Sequence, residues 1–355
     1  MNSHSNITVS APGKIHLLGE HAVVYGHPAL LSAIDKRLYV NIKSSRLSGI
    51  HDAVTAHSSQ TASGQKSRPK ADQPLAEKIK NQNNEIQIKN AESDVLVRQT
   101  ISVFKKAFSI KNLPPGEITV TSRIPIGSGL GSSAALSAAT IGALMKFVKN
   151  LWNPHRINEL AFEVEKLAHG NPSGADNTTV VFGGLVWYRR EFDFLKSIWS
   201  LPISAYKIPR FFLIDSGRPK ETTRQMVEQV ASLLKKEPKL TSQVLSDQEQ
   251  QTKNLLLSLR TGDRGQLKKA IIKGENNLEK ISVVGNFAQK IIRDIEAKKG
   301  AVKVCGAGGV AAGSGMLLCY CEDTLSLQSV AKKYKVSVSS VFLGEEGIRI
   351  EKSTN

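Results

Sequence analysis

Only three of the 355 residues are cysteine, Cys305, Cys319 and Cys321, and all lie late in the chain. That excludes a disulfide-built scaffold. Cys319 and Cys321 stand two apart and would share one face of a strand. No His/Cys cluster flanks them, so zinc is not indicated and a buried thiol pair is expected. Aromatic residues make up 6% of the chain, and the basic residues are scattered. Nucleic-acid binders cluster their bases and interleave aromatics, so no nucleic-acid partner is expected. No run approaches the roughly 18 apolar residues of a membrane helix, so no membrane association is expected either. The opening residues, MNSHSNITVSAPGK, hold no apolar core of a secretory signal, and a cytoplasmic, reducing setting is the expectation.

What is present is a long chain with an adequate apolar share of 40%. Its length suggests two domains of roughly 150 to 200 residues, and composition places a soft boundary near Pro202–Pro209. Lys and Arg number 48 against 31 Asp and Glu, a net charge of +17. The surplus reads as a general attraction for anions.

Residues 6–43 read as short β segments around a turn: NITVSA, GKIHLLGEH, ALLSAI and RLYVNIK. From Ser44 to Asn90 the chain turns polar and weakly periodic, which predicts an insertion or mobile loop. A helical period returns over Val95–Phe108. GEITVTSRIP is a strand, and SSAALSAATIGALMKFV a helix of small residues. Arg156–Leu167 is an amphipathic helix offering Leu160, Phe162, Val164 and Leu167 to a core. Thr178–Arg189 reads as β-rich, RFFLIDSG as a buried strand and 222–297 as helical. Residues 302–321 read as strand, Gly turn, strand, and VSSVFLGEEGIRIEK as a closing β-hairpin.

The strand ending at Pro125 meets its helix through Ile126, Gly127, Ser128, Gly129, Leu130, Gly131, Ser132 and Ser133. Three glycines in five residues allow a tight turn with N–H groups close to a bulky anion. The helix that follows points its positive end the same way, and the Ser132 and Ser133 hydroxyls can bond a phosphate or hold Mg²⁺. No Lys follows as in a Walker A loop, and the spacing is not that of a dinucleotide fold. A plain Gly-rich turn packing on a helix would read alike.

Further on, HGNPSGADN holds Asp176, able to take or orient a hydroxyl proton. One turn before the preceding helix ends, Glu165 can reach the same cleft and offer an oxygen to Mg²⁺. An Asx-turn and a solvated helix charge are the plainer readings. Lys14 sits in a Pro-Gly turn, where it can neutralise an anion or bias a carboxylate towards ionisation. Glu20 and His21 can bond a polar substrate or form an exposed turn pair. Cys305–Gly309 is a second flexible turn.

Taken together, APGKIHLLGEH, PIGSGLGSSAA and KVCGAGG, in that order, resemble the GHMP kinase family. GEHAVVYGHPAL and EKLAHGNPSGADNTTVVFGGLVWY are most similar to the branch that acts on mevalonate. The match is loose over 44–95 and 225–297. The resemblance implies an α+β fold: a ribosomal-S5-like N-terminal domain over 1–205, with the polar insertion at about 44–95, and a ferredoxin-like C-terminal domain over 206–355. It implies ATP-dependent, Mg²⁺-assisted phosphorylation of the mevalonate 5-hydroxyl, with mevalonate and ATP as ligands and a homodimer as a candidate assembly. By the same resemblance Asp176 is the catalytic aspartate and Lys14 its partner. Pro125 to Ser133 form the ATP phosphate loop, Ser133 (or its neighbour Ser132) and Glu165 are Mg²⁺ ligands, and Glu20, His21 and Thr223 contact substrate. The third motif departs from the family pattern by reading GAGGVAAGSG. Alternatives within the family are kinases of phosphomevalonate, of galactose or of the mevalonate 3-hydroxyl. One outside its chemistry is a catalytically silent basic binding protein on the same fold.

Overall fold

In the computed structural model, which describes residues 6–45, 86–89, 94–125, 127–169, 172–192 and 194–352, the chain opens with two long antiparallel strands. These are β1 (Asn6–Leu18) and β2 (Ala29–Ser44), continuous where the sequence predicted several short segments. Register shifts at Pro12/Gly13 and between His16 and Leu18 let one ladder absorb the stretches that do not alternate. Then come β3 (Ile86–Lys89), α1 (Asp94–Ala107), β4 (Gly116–Ser122), α2 (Ser132–Lys149), α3 (Pro154–His169), α4 (Ala175–Phe182), β5 (Leu185–Arg190) and β6 (Lys196–Leu201). The second half runs β7 (Phe211–Asp215), α5 (Thr223–Lys236), α6 (Pro238–Thr261), α7 (Arg264–Lys280), α8 (Asn286–Ala297), β8 (Ala301–Val304), β9 (Met316–Tyr320), α9 (Thr324–Tyr334), β10 (Val338–Val341) and β11 (Arg349–Ile350). Of the predicted 44–95 insertion, only Ser44, Ser45, β3 and the first two residues of α1 fall among the described residues; β3 is ordered as an edge strand parallel to β4.

Seven strands form the first sheet, in the order β11-β1-β2-β4-β3, with β5 pairing to β2 and β6 to β5. The second sheet is antiparallel, β10-β7-β9-β8. The architecture is α+β, as expected. Cys319 and Cys321 are both buried in the second core cluster, as expected of a thiol pair on one strand face.

Three local readings are corrected. Residues 178–182 are helical, not β-rich: Thr178 and Thr179 donate their hydroxyls to the carbonyls of Gly174 and Ala175, at 2.7 and 2.9 Å. Asn177 ties the same helix to α3 by donating to Asn158 Oδ1 at 2.6 Å. Burial on nearly every side outweighs the strand preference of the β-branched residues. The closing segment is not a hairpin either, since β10 pairs with β7 and β11 with β1. That stretch crosses from one sheet to the other and staples them. Finally, Leu167 is 60% exposed and Phe162 only half-buried, while Leu160 and Val164 do enter the core.

One large cluster joins the two sheets: Phe211, Leu213 and Leu318 pack in the same core as Ile15, Leu17 and Leu30. The helices α2 and α6 both pack on β1. Burying that much apolar surface fixes the ends of β1, α2 and α4 around one opening.

Candidate active site

After the bulge at Pro12/Gly13 Lys14 pairs with Ala33 of β2, and its N–H donates to the Leu130 carbonyl at 2.9 Å. The Gly-rich turn is thereby pinned to β1. Gly127, Gly129 and Gly131 have φ of 69°, 82° and 76°, a left-handed backbone that side chains disfavour. Gly131 heads α2 with no side-chain cap, so the first N–H groups of the helix, at Ser132, Ser133 and Ala134, open into a cavity. The third motif closes on the same turn: a Cβ built on Gly306 would lie 2.8 Å from the Gly129 Cα.

The cavity holds about 930 Å³ and brings together Lys14, Glu20, His21, Glu165, Asp176 and Thr223 with Gly127, Gly129, Gly131, Ser132 and Ser133. Among the described residues of the expected phosphate loop, Pro125, Ser128 and Leu130 do not line it. Leu130 is buried in the core, and the Ser128 hydroxyl donates to the Pro125 carbonyl at 2.7 Å. Ile126 lies outside the described residues.

Asp176 sits in the first turn of α4 rather than in a loop. Lys14 Nζ lies 2.8 Å from its Oδ2. His16 completes a triangle: its Nδ1 accepts from Lys14 Nζ at 3.3 Å, and its Nε2 stands 3.8 Å from Asp176 Oδ1. Burial and the Lys14 ammonium hold this imidazole well below its ordinary pKa, so it is neutral. Sequence reasoning passed over His16, although the period of a strand puts it on the face of Lys14.

Glu165 has its pKa pushed up to about 8, by burial first and by the Asp176 charge second. Its Oε2 is buried and accepts no hydrogen bond from the described residues. Such a carboxylate suits a cation. No group of three or more His, Cys, Asp or Glu among the described residues is arranged to hold a metal. A cation there must complete its shell from serine hydroxyls, water and phosphate, as Mg²⁺ does. Lys196, over the Phe162 ring at 3.3 Å, is pushed down to about 8, chiefly by burial.

Glu20 and His21 are buried, not an exposed turn pair. His21 takes φ of 57° and its Nε2–H donates to the Ala307 carbonyl at 3.0 Å. Burial lowers its pKa to about 4. Thr222 spends its hydroxyl capping α5, accepting from Gln225 N at 3.2 Å, which leaves Thr223 in the first turn at the cavity. The β7–α5 loop adds Arg218 and Lys220 to the rim and the first turn of α5 adds Arg224, cations that no motif announced. Glu221 accepts from Ala311 N at 2.8 Å and Val310 N at 3.3 Å. It thus anchors the departing VAA segment, while Gly306, Ala307 and Gly308 keep their place at the cavity.

A model of the GHMP kinases N terminal domain matches residues 95–184. A mevalonate kinase of Archaeoglobus fulgidus is 31% identical over 305 residues, 84% of this chain and 88% of its own length. One of Thermococcus sibiricus is 33% identical over 241 residues, 68% of this chain and 66%, just under two thirds, of its own. Among solved structures, the Methanococcus jannaschii mevalonate kinase superposes with a TM-score of 0.70 over 96% of this chain and 99% of that one. Its 19% identity speaks for the fold.

Proposed function

This chain belongs to the GHMP kinase family, and from that premise we propose that it transfers the γ-phosphoryl group of ATP to the 5-hydroxyl of mevalonate. The product is 5-phosphomevalonate, an intermediate of isoprenoid synthesis. The observation that carries the reading is the Lys14–Asp176 pair, 2.8 Å apart, in a cavity that an uncapped helix N-terminus also lines.

Phosphoryl transfer needs alignment and charge stabilisation more than covalent chemistry. The N–H groups heading α2, with the left-handed glycines before it, accept triphosphate oxygens. Asp176 takes or orients the 5-hydroxyl proton. Lys14 offsets the negative charge on Asp176 and on the hydroxyl oxygen as that oxygen attacks. Neutral His16 accepts from Lys14 and holds its ammonium against Asp176. Glu20 and His21 serve the mevalonate end, and Thr223 also contacts substrate. Arg218, Lys220 and Arg224 attract the anionic substrates. Bound Mg²⁺ would neutralise charge on the β- and γ-phosphates. Glu165 and the Ser133 hydroxyl, or that of Ser132, would hold it, and the unpartnered Glu165 Oε2 supports that assignment.

A cytoplasmic homodimer completes the proposal. The cysteines are all free and buried, which suits a reducing compartment. No helix of the described residues is long and apolar enough to cross a membrane. The deciding experiment is an ADP-release assay with mevalonate, phosphomevalonate, galactose and homoserine. Turnover on mevalonate above the rest is expected; preference for another acceptor would replace the substrate, and none at all would overturn the reading.

A further inference from the structure

Behind Glu20 lies a charged cluster whose other members, Lys303 and Glu275, the mechanism above does not use. Lys303, in β8, is 0% exposed. Its three ammonium protons are all spent: one on Glu20 Oε1, one on the Val304 carbonyl and one on the His16 carbonyl at 3.1 Å. Glu275, in α7, is also 0% exposed and its Oε2 accepts from Val304 N at 2.9 Å. One cation therefore faces two carboxyls in a dry interior. The balance closes if one carboxyl keeps its proton, and Glu275 does: burial pushes its pKa up to about 8. Burial raises the carboxyl of Glu20 as well, but the charge of Lys303 and its direct hydrogen bond oppose that rise, so Glu20 is the partner left charged.

Glu20 differs from Glu275 in one more respect. Both have an oxygen that is buried and accepts nothing from the described residues. Only Glu20 lines the cavity. A buried charged acceptor without a donor is costly unless a ligand supplies one. Among the groups of mevalonate the donor is a hydroxyl, because its carboxylate would be repelled. The phosphorylated hydroxyl belongs at Asp176, which leaves the other alcohol of the substrate.

We propose that Lys303 is a positioning residue: it holds one oxygen of Glu20 and so presents the other to the substrate hydroxyl that is not phosphorylated, the 3-hydroxyl of mevalonate. The inference rests on the reading of mevalonate as the acceptor. Lys303 touches no substrate, since it lies wholly behind Glu20, His16 and Val304. Its position in the second sheet, and that of Glu20 just after β1, make the substrate contact depend on how the two sheets meet.

The test is steady-state kinetics on the full chain with mevalonate and ATP varied separately. Lys303→Met should raise KM for mevalonate roughly tenfold or more, the scale of a lost charged hydrogen bond, with KM for ATP nearly unchanged. Glu275→Gln should leave both constants close to the parent. Lys303→Met, Glu20→Gln and the double variant form a cycle. If Lys303 acts through Glu20, the double variant has the mevalonate KM of Glu20→Gln alone. Should Lys303→Met fail to fold, the uncharged double variant is compared with Glu20→Gln directly. An unchanged mevalonate KM in Lys303→Met, or a double variant much worse than Glu20→Gln, overturns the positioning role while the function stands. A parent that does not use mevalonate overturns the functional reading and this inference with it.

Discussion

Gly131 rests on the aliphatic stem of Lys14: a Cβ built there would lie 2.7 Å from Lys14 Cγ and 3.0 Å from Cε. The last glycine of the proposed phosphate loop is therefore also the floor on which the proposed catalytic lysine lies. Loop and lysine form one packed unit, and the Leu130 carbonyl that accepts from Lys14 N binds them further.

A consequence concerns how the loop is tested. Gly131→Val strains a backbone at φ 76° and pushes Lys14 off Asp176. It should lower turnover as well as raise KM for ATP. Gly306→Ala isolates the loop better, because its Cβ would press on the Gly129 backbone 2.8 Å away and not on Lys14. That variant should raise KM for ATP by roughly tenfold with a smaller change in turnover. Nucleotide affinity and melting temperature measured together check it; a folded protein with parental affinity would remove the loop from the ATP site.

Asp176→Asn should leave ATP binding largely intact and lower turnover by at least about 10²-fold, the scale of a general base. The amide keeps the shape of the first turn of α4, so circular dichroism and melting should stay close to the parent. Near-normal turnover would dismiss Asp176 from the chemistry.

For Glu165 the sign can be worked out. Its carboxyl is raised from about 4.5 to about 8, so without metal it holds a proton through neutral pH. Mg²⁺ must displace that proton, and the Mg²⁺ requirement should ease as pH rises towards 8. Glu165→Gln should raise the half-saturating Mg²⁺ concentration by roughly tenfold or more and flatten this pH dependence. Mg²⁺ titrations of activity at pH 6.5 and 8.5 decide; superimposable curves for parent and variant make Glu165 structural.

Glu275 gives a stability prediction. Its pKa rises from about 4.5 to about 8 on folding, so the folded state holds the extra proton between those values. Stability from this group is full below about pH 4.5 and is lost as pH rises through about 8. Glu275→Gln cannot ionise, and should melt above the parent at pH 9 while differing little at pH 5. Melting curves across that range check it, and a constant difference between the two proteins would refute the buried proton.

Much of this site was legible in the chain because backbone chemistry is local. Glycines at 127, 129 and 131 announce positive φ, and the serines after them announce a helix start with free N–H groups. Pro12-Gly13 before Lys14 announces a break in a strand. The joint order of three motifs carried the family, and with it Asp176 and Glu165. Where local preference misled, packing was the cause: Thr178 and Thr179 are strand formers held in a helix by burial and by their own back-bonded hydroxyls.

What the sequence alone determined was the α+β class, the glycine-rich turn that leads into a helix and the residues proposed here as reacting groups, since each follows from residue type and short spacing. Tertiary structure decided which of those groups meet. Lys14 reaches Asp176 only because β1 and α4 pack in one core, and Arg218 reaches the glycine turn only because the second sheet closes on the first. It also decided that Val338–Ile350 is a staple between sheets and not a hairpin, because each strand finds a better partner far away in sequence than its neighbour. The buried charges of Glu20, Lys303 and Glu275 belong to that second kind: no spacing relates them, and only a shared interior without water forces one cation and two carboxyls to settle their protons together.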